Sequence, residues 1–333
     1  MTRVIGVVSG KGGVGKTTLV ANLALSLKEF GERVAAVDCN ITTPHLSFYL
    51  GAYSYPLSLN DVLRGDAVIT SAAYYHNGII IVPASQKTDD LIDVDMSNLK
   101  DDLNALKNLT DVILLDSAPS LGKEALSVLR ASDEIIFVTN PLMLAVNDVL
   151  KCCEVIKRLD LKIIGIVLNM VRNDKYELTE DQIERITGLP VIARIPFDKD
   201  ILAGLSKKTP IVQYKPNSAA SLVCARLASN LLGIPSEPSK SIFSSFYNAF
   251  KKLTSFRETS GIEIQTYSSD IRTDADRILD IVNAERSIKL SELAKKLNLS
   301  KEETKTLGKT LEEHGLIEFY SPMFGETRLR VKE

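Results

Sequence analysis

The 333-residue chain has no tryptophan and only four cysteines, Cys39, Cys152, Cys153 and Cys224, none of them in a C-x-x-C pair. That spacing offers neither a zinc knuckle nor a dithiol redox site. Unpaired thiols are the usage of a reducing compartment, with three or more expected to pack in a core. No apolar run is long enough to span a bilayer, and the N-terminus enters a strand-like run without a secretory signal, so a cytoplasmic protein is expected. Charge of one sign is missing as well. Forty Lys and Arg against 42 Asp and Glu leave no global field to draw in nucleic acid or anionic lipid, so any such binding needs a local patch.

What is present is the makings of a large core. Hydrophobic residues are 45% and charged residues 25% of the chain, and the length suggests about two domains. Short runs rich in Val and Ile occupy 4–9, 33–38, 79–82, 112–116, 134–139, 163–168 and 191–195. They are mostly unbroken by polar residues, as strands covered on both faces by helices would be. Helical patterns lie between them, such as 18–30, stopped at Gly31, and 147–159. The alternation predicts a doubly wound α/β domain with a mostly parallel sheet over residues 1–233. GIPSEPSK at 233–240 opens a Pro/Ser linker that runs to 270 and contains an amphipathic stretch at 241–256. A small domain occupies 271–333.

Gly10-Lys11-Gly12-Gly13-Val14-Gly15-Lys16-Thr17, with Thr18 behind it, satisfies G-x-x-x-x-G-K-[ST] between a buried strand and an amphipathic helix. Glycines there let backbone N–H groups and the helix N-terminus close on phosphates. Lys16 would reach the β- and γ-phosphates and Thr17 would ligate magnesium, so the expected cofactors are ATP and Mg2+.

Lys11 carries more information than a generic P-loop requires. KGGVGKT resembles the deviant Walker A motif of the MinD/ParA/Mrp/NifH group of ATPases, and the resemblance runs over about 1–233. It implies that Lys11 crosses the interface of an ATP-sandwiched homodimer to the partner's nucleotide, assisting hydrolysis with Lys16 and Asp38. VAAVDCN at 34–40 resembles the first switch, and DVILLDSAPSLG at 111–122 resembles Walker B with the second switch. Asp38 and Asp116 are thereby implied at magnesium through water. IIGIVLNMV at 163–171 ends near Asn169, the implied adenine reader, and the loop with Pro196, Phe197 and Asp198 resembles the closing adenine loop. SLNDVLRGD followed by IIIVPAS is most similar to MinD. One position departs: Asn40 stands where these relatives usually carry a second Asp. An amide cannot take a proton from water, so slow turnover is expected.

On a helix, Ile242, Phe243, Phe246, Phe250 and Leu253 share one face of 241–256, opposite serines and lysines. Two readings stand: an interfacial helix lying on a membrane, as the resemblance to MinD implies, or a connector packed on a neighbouring domain. Further on, three helical patterns at 274–285, 289–300 and 301–318 precede an alternating hairpin at 319–332. Together they resemble winged helix-turn-helix modules, with 300–314 as the recognition helix. DNA contact would use Lys301, Thr304, Lys305, Lys309 and Arg328. Residues 271–333 hold twelve basic and twelve acidic side chains, which speaks equally for protein interaction. The expected function is a dimerising ATPase that organises cell division, chromosome partitioning or a cellular machine, with a protein client and a membrane surface as partners. The alternative is a nucleotide-gated DNA-binding regulator. A metal-cluster or protein-delivery ATPase is disfavoured by the cysteine pattern.

Overall fold

Seven Val/Ile-rich runs become parallel strands, as runs too apolar to leave a whole face to water do. The computed structural model describes residues 2–52, 55–234, 278, 281–282, 285–297, 299–313, 317–320 and 326–331. They fall into two compact units, one within 1–267 and the other within 268–333.

The first unit is an eight-stranded sheet in the order β3-β4-β2-β5-β1-β6-β7-β8. Its strands are β1 (Arg3–Val8), β2 (Val34–Cys39), β3 (Tyr74–His76), β4 (Ile79–Val82), β5 (Val112–Ser117), β6 (Glu134–Thr139), β7 (Lys162–Val171) and β8 (Val191–Pro196). All pairings are parallel except β3 with β4. The short edge strand β3 escapes the sequence pattern, since Tyr-Tyr-His lacks a buried run.

The helices used below are α1 (Lys16–Glu29), α2 (Leu46–Leu50), α3 (Leu59–Leu63), α4 (Leu99–Asp102), α5 (Asn104–Lys107), α6 (Lys123–Ala131), α7 (Met143–Arg158), α8 (Glu180–Thr187), α9 (Lys199–Ser206), α10 (Ile211–Tyr214) and α11 (Ala219–Leu231). Alternate strand residues divide the core. Ile5, Val7, Ala36, Leu114, Val138 and Val167 meet α1 and α11, while Val4, Val37 and Leu115 meet Leu59 of α3 and Val128 of α6. Phe137 and Leu168 pack with Val146 and Val149 of α7. All four cysteines are buried.

The second unit joins α12 (Leu290–Leu297) and α13 (Lys301–Glu313) to an antiparallel sheet ordered β10-β11-β9. Its strands are β9 (Ser287–Lys289), β10 (Ile317–Tyr320) and β11 (Arg328–Val331). Ile278, Val282, Ile288, Leu293, Leu311, Ile317 and Leu329 form its own core. Residue 289 ends a strand instead of opening a helix: Lys289 pairs with Arg328, and Leu290 then starts α12. Among the described residues, no helix is long and apolar enough to cross a membrane. Ile242, Phe243, Phe246, Phe250 and Leu253 lie outside the described residues.

Candidate nucleotide site

Strand parity assembles the site. Asp38 pairs with Asp116, and Asp116 with Val7, across three adjacent strands, two residues before the loop that leaves β1. By alternation Asp38 follows Ala36, Asp116 follows Leu114 and Asn169 follows Val167, so all three polar residues end the row that faces α1. The chain thus turns from apolar to polar on one face at the carboxyl ends of β2, β5 and β7. Ligands of open α/β sheets bind at such ends, where connections leave in opposite directions.

The loop from Ser9 to Gly15 closes this end. Lys16 is buried, 7% exposed, and donates from Nζ to Ser9 Oγ at 2.9 Å. Ser9 Oγ in turn donates to the Lys11 carbonyl at 2.7 Å. Burial pulls the Lys16 pKa down, and the Asp116 charge pulls it partly back. Gly15 caps α1 with φ 92°, and a Cβ there would sit 2.1 Å from the Asn169 amide nitrogen. That nitrogen donates to the Val14 carbonyl at 2.7 Å, so the loop is seated directly on β7. On its other side, a Cβ on Gly10 would meet Asp148 of α7 at 2.5 Å. Gly12 faces only Pro119, at 3.7 Å. The Ser120 amide, on a residue with φ 68°, donates to the Ser9 carbonyl at 3.0 Å and ties the loop after β5 to the same cradle.

The two aspartates differ sharply. Asp38 is satisfied: Oδ1 accepts from the Asn40 amide at 3.2 Å, and Oδ2 from the amides of His45 and Leu46 at 3.0 and 2.9 Å. It therefore anchors the loop that follows β2. Asp116 is 1% exposed, and neither of its oxygens has a full hydrogen-bond partner among the described residues. Burial pushes its pKa up to about 6, while the nearby Thr17 hydroxyl and Lys16 ammonium draw it down. Burial and then the Asp116 charge also raise Asp38. Two buried orphan acceptors beside a threonine hydroxyl and a lysine fit a hydrated magnesium ion next to phosphates.

Asn40 is tied into its own turn, Nδ2 donating to the Thr43 carbonyl at 2.7 Å and Oδ1 accepting from Thr43 Oγ1 at 3.1 Å. Phe197 donates its amide to the Val171 carbonyl at 2.9 Å, which brings the end of β8 beside Asn169. Asp198 is spent on capping α9, accepting from the Asp200 amide at 2.9 Å. The Arg172 guanidinium lies 3.9 Å over the Phe197 ring. Sequence reasoning missed Arg172, Ser120, Asp148 and Asn140, whose Nδ2 holds the Asn169 carbonyl at 3.1 Å. Lys11 is exposed at the mouth of a groove lined by Leu144, Asn147, Asp148 and Lys151 of α7, where Leu144 is 74% exposed.

In the second unit the expected nucleic-acid face is partly consumed. Thr304 is 0% exposed, and its hydroxyl donates to the Ser300 carbonyl 2.9 Å away, so as placed it does not face a groove. Arg328 is not free for a groove either: it donates to the Ser287 hydroxyl and carbonyl at 2.9 and 3.2 Å. Lys301 is paired with Glu326 at 2.8 Å. Lys305 and Lys309 are exposed.

This phosphate cradle on a parallel sheet is that of a nucleotide-binding domain, and the chain belongs to the CobQ/CobB/MinD/ParA nucleotide-binding family, whose model matches residues 5–211. An uncharacterized ATP-binding protein of Methanocaldococcus jannaschii is 36% identical over 234 residues, 70% of this chain and 89% of that protein. The septum site-determining protein MinD of Pyrococcus horikoshii, solved with Mg-ADP, is 35% identical with a TM-score of 0.67, over 69% of this chain and 96% of that one. A chain of the MinC:MinD cell division protein complex of Aquifex aeolicus is 25% identical with a TM-score of 0.64, over 72% of this chain and 99% of that one.

Proposed function

We propose that the chain is a MinD/ParA-type ATPase switch, in which magnesium and ATP join two copies face to face and hydrolysis separates them. The observation that carries this reading is the buried, orphaned Asp116 carboxylate beside Lys16 and Thr17 at the mouth of the glycine loop. The chain's residues hold, orient and exclude. Backbone amides of 12–17 and Lys16 take the phosphates. Thr17 and, through water, Asp116 would hold magnesium, which would supply positive charge against the phosphates. Asn169, Pro196 and Phe197 frame the base, while Asp38 shapes the first switch loop. Lys11, exposed at the groove, reaches the partner's nucleotide. Asn40, an amide already engaged, makes turnover slow.

The client is a protein or surface to be positioned, in keeping with a relative solved in complex with MinC. The segment at 241–256 supplies a peripheral membrane contact in this reading. The helix pair and sheet of the second unit act as a winged helix-turn-helix module. The exposed Lys305 and Lys309 support a second reading, in which dimerisation gates DNA binding.

Light scattering with a fluorescent ATP analogue tests the core of it. The wild type binds and dimerises only with magnesium nucleotide, Lys16→Ala loses binding, and Lys11→Ala binds within threefold but stays monomeric. A Lys11→Ala dimer with ATP would overturn the role in trans.

A further inference from the structure

Among the described residues, four buried polar side-chain atoms lack a hydrogen-bond partner: both Asp116 oxygens, the Tyr55 hydroxyl and Glu124 Oε2. Magnesium accounts for the first two. Glu124 has no task in the site built above, yet an unpaired buried carboxylate oxygen is costly to keep. Its other oxygen, Oε1, accepts a hydrogen bond from the Thr42 hydroxyl. Glu124 stands in the first turn of α6, the helix that directly follows the loop after Asp116. Helix α6 lies against β2, and the Cys39 thiol at the end of that strand is pushed up by burial first, then by the charges of Asp38, Asp116 and Glu124.

Thr42 lies in the short loop between β2 and α2, and that loop is gripped at several points. Asp38 holds the amides of Asn40, His45 and Leu46. Gln86 Nε2 donates to the Pro44 carbonyl at 2.9 Å. The Asn40 amide is closed on Thr43. Asp38 works from the face of the sheet that carries α1, whereas α6 packs on the opposite face. The Thr42 bond to Glu124 therefore adds a polar restraint on the 40–43 turn from the far side of the sheet, where the Ile41 side chain of the same turn is also packed.

We propose that Glu124 is a positioning residue for Asn40, gripping Thr42 and so fixing where the 40–43 turn sits beside the magnesium and phosphate end of the site. The functional consequence rests on the ATPase reading; the grip itself does not. Because α6 begins where the loop after β5 ends, any displacement of that loop carries Glu124, and with it Thr42 and Asn40. The two loops that flank the metal then move as one.

Hydrogen–deuterium exchange on the full nucleotide-free chain tests the grip without any ligand. Glu124→Gln and Thr42→Val each raise exchange of the 40–46 amides about tenfold, while amides of 9–17 stay at the wild-type rate. The double variant exchanges no faster than either single one, and Thr42→Ser, which keeps the hydroxyl, behaves as wild type. In single-turnover hydrolysis the same two variants lose about tenfold in rate with affinity for the fluorescent nucleotide unchanged. Wild-type exchange in Glu124→Gln, or additive effects in the double variant, overturns the grip. Exchange as expected with hydrolysis unaltered overturns the positioning of Asn40. A wild type that binds no nucleotide sinks the ATPase reading and leaves the exchange result standing as the test of Glu124.

Discussion

Asp116 is the residue at which folding and binding pull in opposite directions. Its carboxyl is buried, and its pKa is raised to about 6. An unfolded aspartate releases its proton near ~4. Between those values the native state binds more protons than the unfolded one, so this carboxyl's contribution to the stability of the nucleotide-free chain falls as pH rises from about 4 through about 6, and the raised Asp38 beside it acts in the same direction. Magnesium requires the ionised form, so its contribution to nucleotide affinity fades below about pH 6. Asp116→Asn is expected to stabilise the nucleotide-free protein at pH 7.5, on the order of 2 kcal/mol, and to abolish the magnesium dependence of nucleotide binding. Thermal unfolding against pH, with and without magnesium nucleotide, reads both effects; a destabilised Asp116→Asn would refute the orphaned-carboxylate account. Position 116 and the glycine loop were legible in the sequence because their chemistry is local: a strand, a fixed spacing, a helix. Ser120, Asp148 and Glu124 were not. Each acts through a contact with a segment far away in the chain, and no spacing encodes that.

At the scale of elements, the central parallel strands could be read because full burial forces continuous Val/Ile/Leu composition on them, and the edge strand β8 because it keeps Val191, Ile192 and Ile195 around an exposed Arg194. Strand β3 could not, since Tyr75 is exposed and His76 only partly buried, and β9 was hidden by the helical pattern that starts one residue after it. The junction between β1 and α1 is where element geometry is most exacting. Gly15 holds φ 92° at the N-cap of α1 and lies against the Asn169 side chain. Gly15→Ala must pay for a left-handed alanine, about 1–2 kcal/mol, and must also displace the amide that seats the loop on β7. Gly188 caps α8 at φ 68° with nothing near its missing Cβ. Gly188→Ala therefore costs the backbone strain alone, about 1 kcal/mol, and leaves nucleotide affinity unchanged, whereas Gly15→Ala loses at least tenfold in affinity. Denaturant unfolding and nucleotide titration of the two variants separate strain from seating. Equal affinities would mean that Asn169 does not hold the loop.

On the scale of the whole molecule, the described residues make two cores that share no member. Ile5, Leu23, Leu114, Phe137 and Leu227 belong to clusters of the first unit, and Ile288, Leu293, Leu311 and Leu329 to that of the second. Each unit also closes its own sheet, one mostly parallel and one antiparallel. Every residue assigned to phosphate, metal or base lies before residue 199, and α11 completes the first core at Leu231. A fragment of residues 1–234 is thus expected to fold cooperatively and to bind magnesium nucleotide within about twofold of the full chain, because every residue assigned to the cradle lies within it. The full chain should unfold in two calorimetric transitions, of which only the one shared with the fragment shifts upward with magnesium nucleotide, since a ligand stabilises the unit that binds it. The smaller transition, insensitive to nucleotide, would belong to residues 268–333. If a single transition moved as a whole, or if the fragment lost binding, the second unit would be a working part of the nucleotide site instead of a module carried by it.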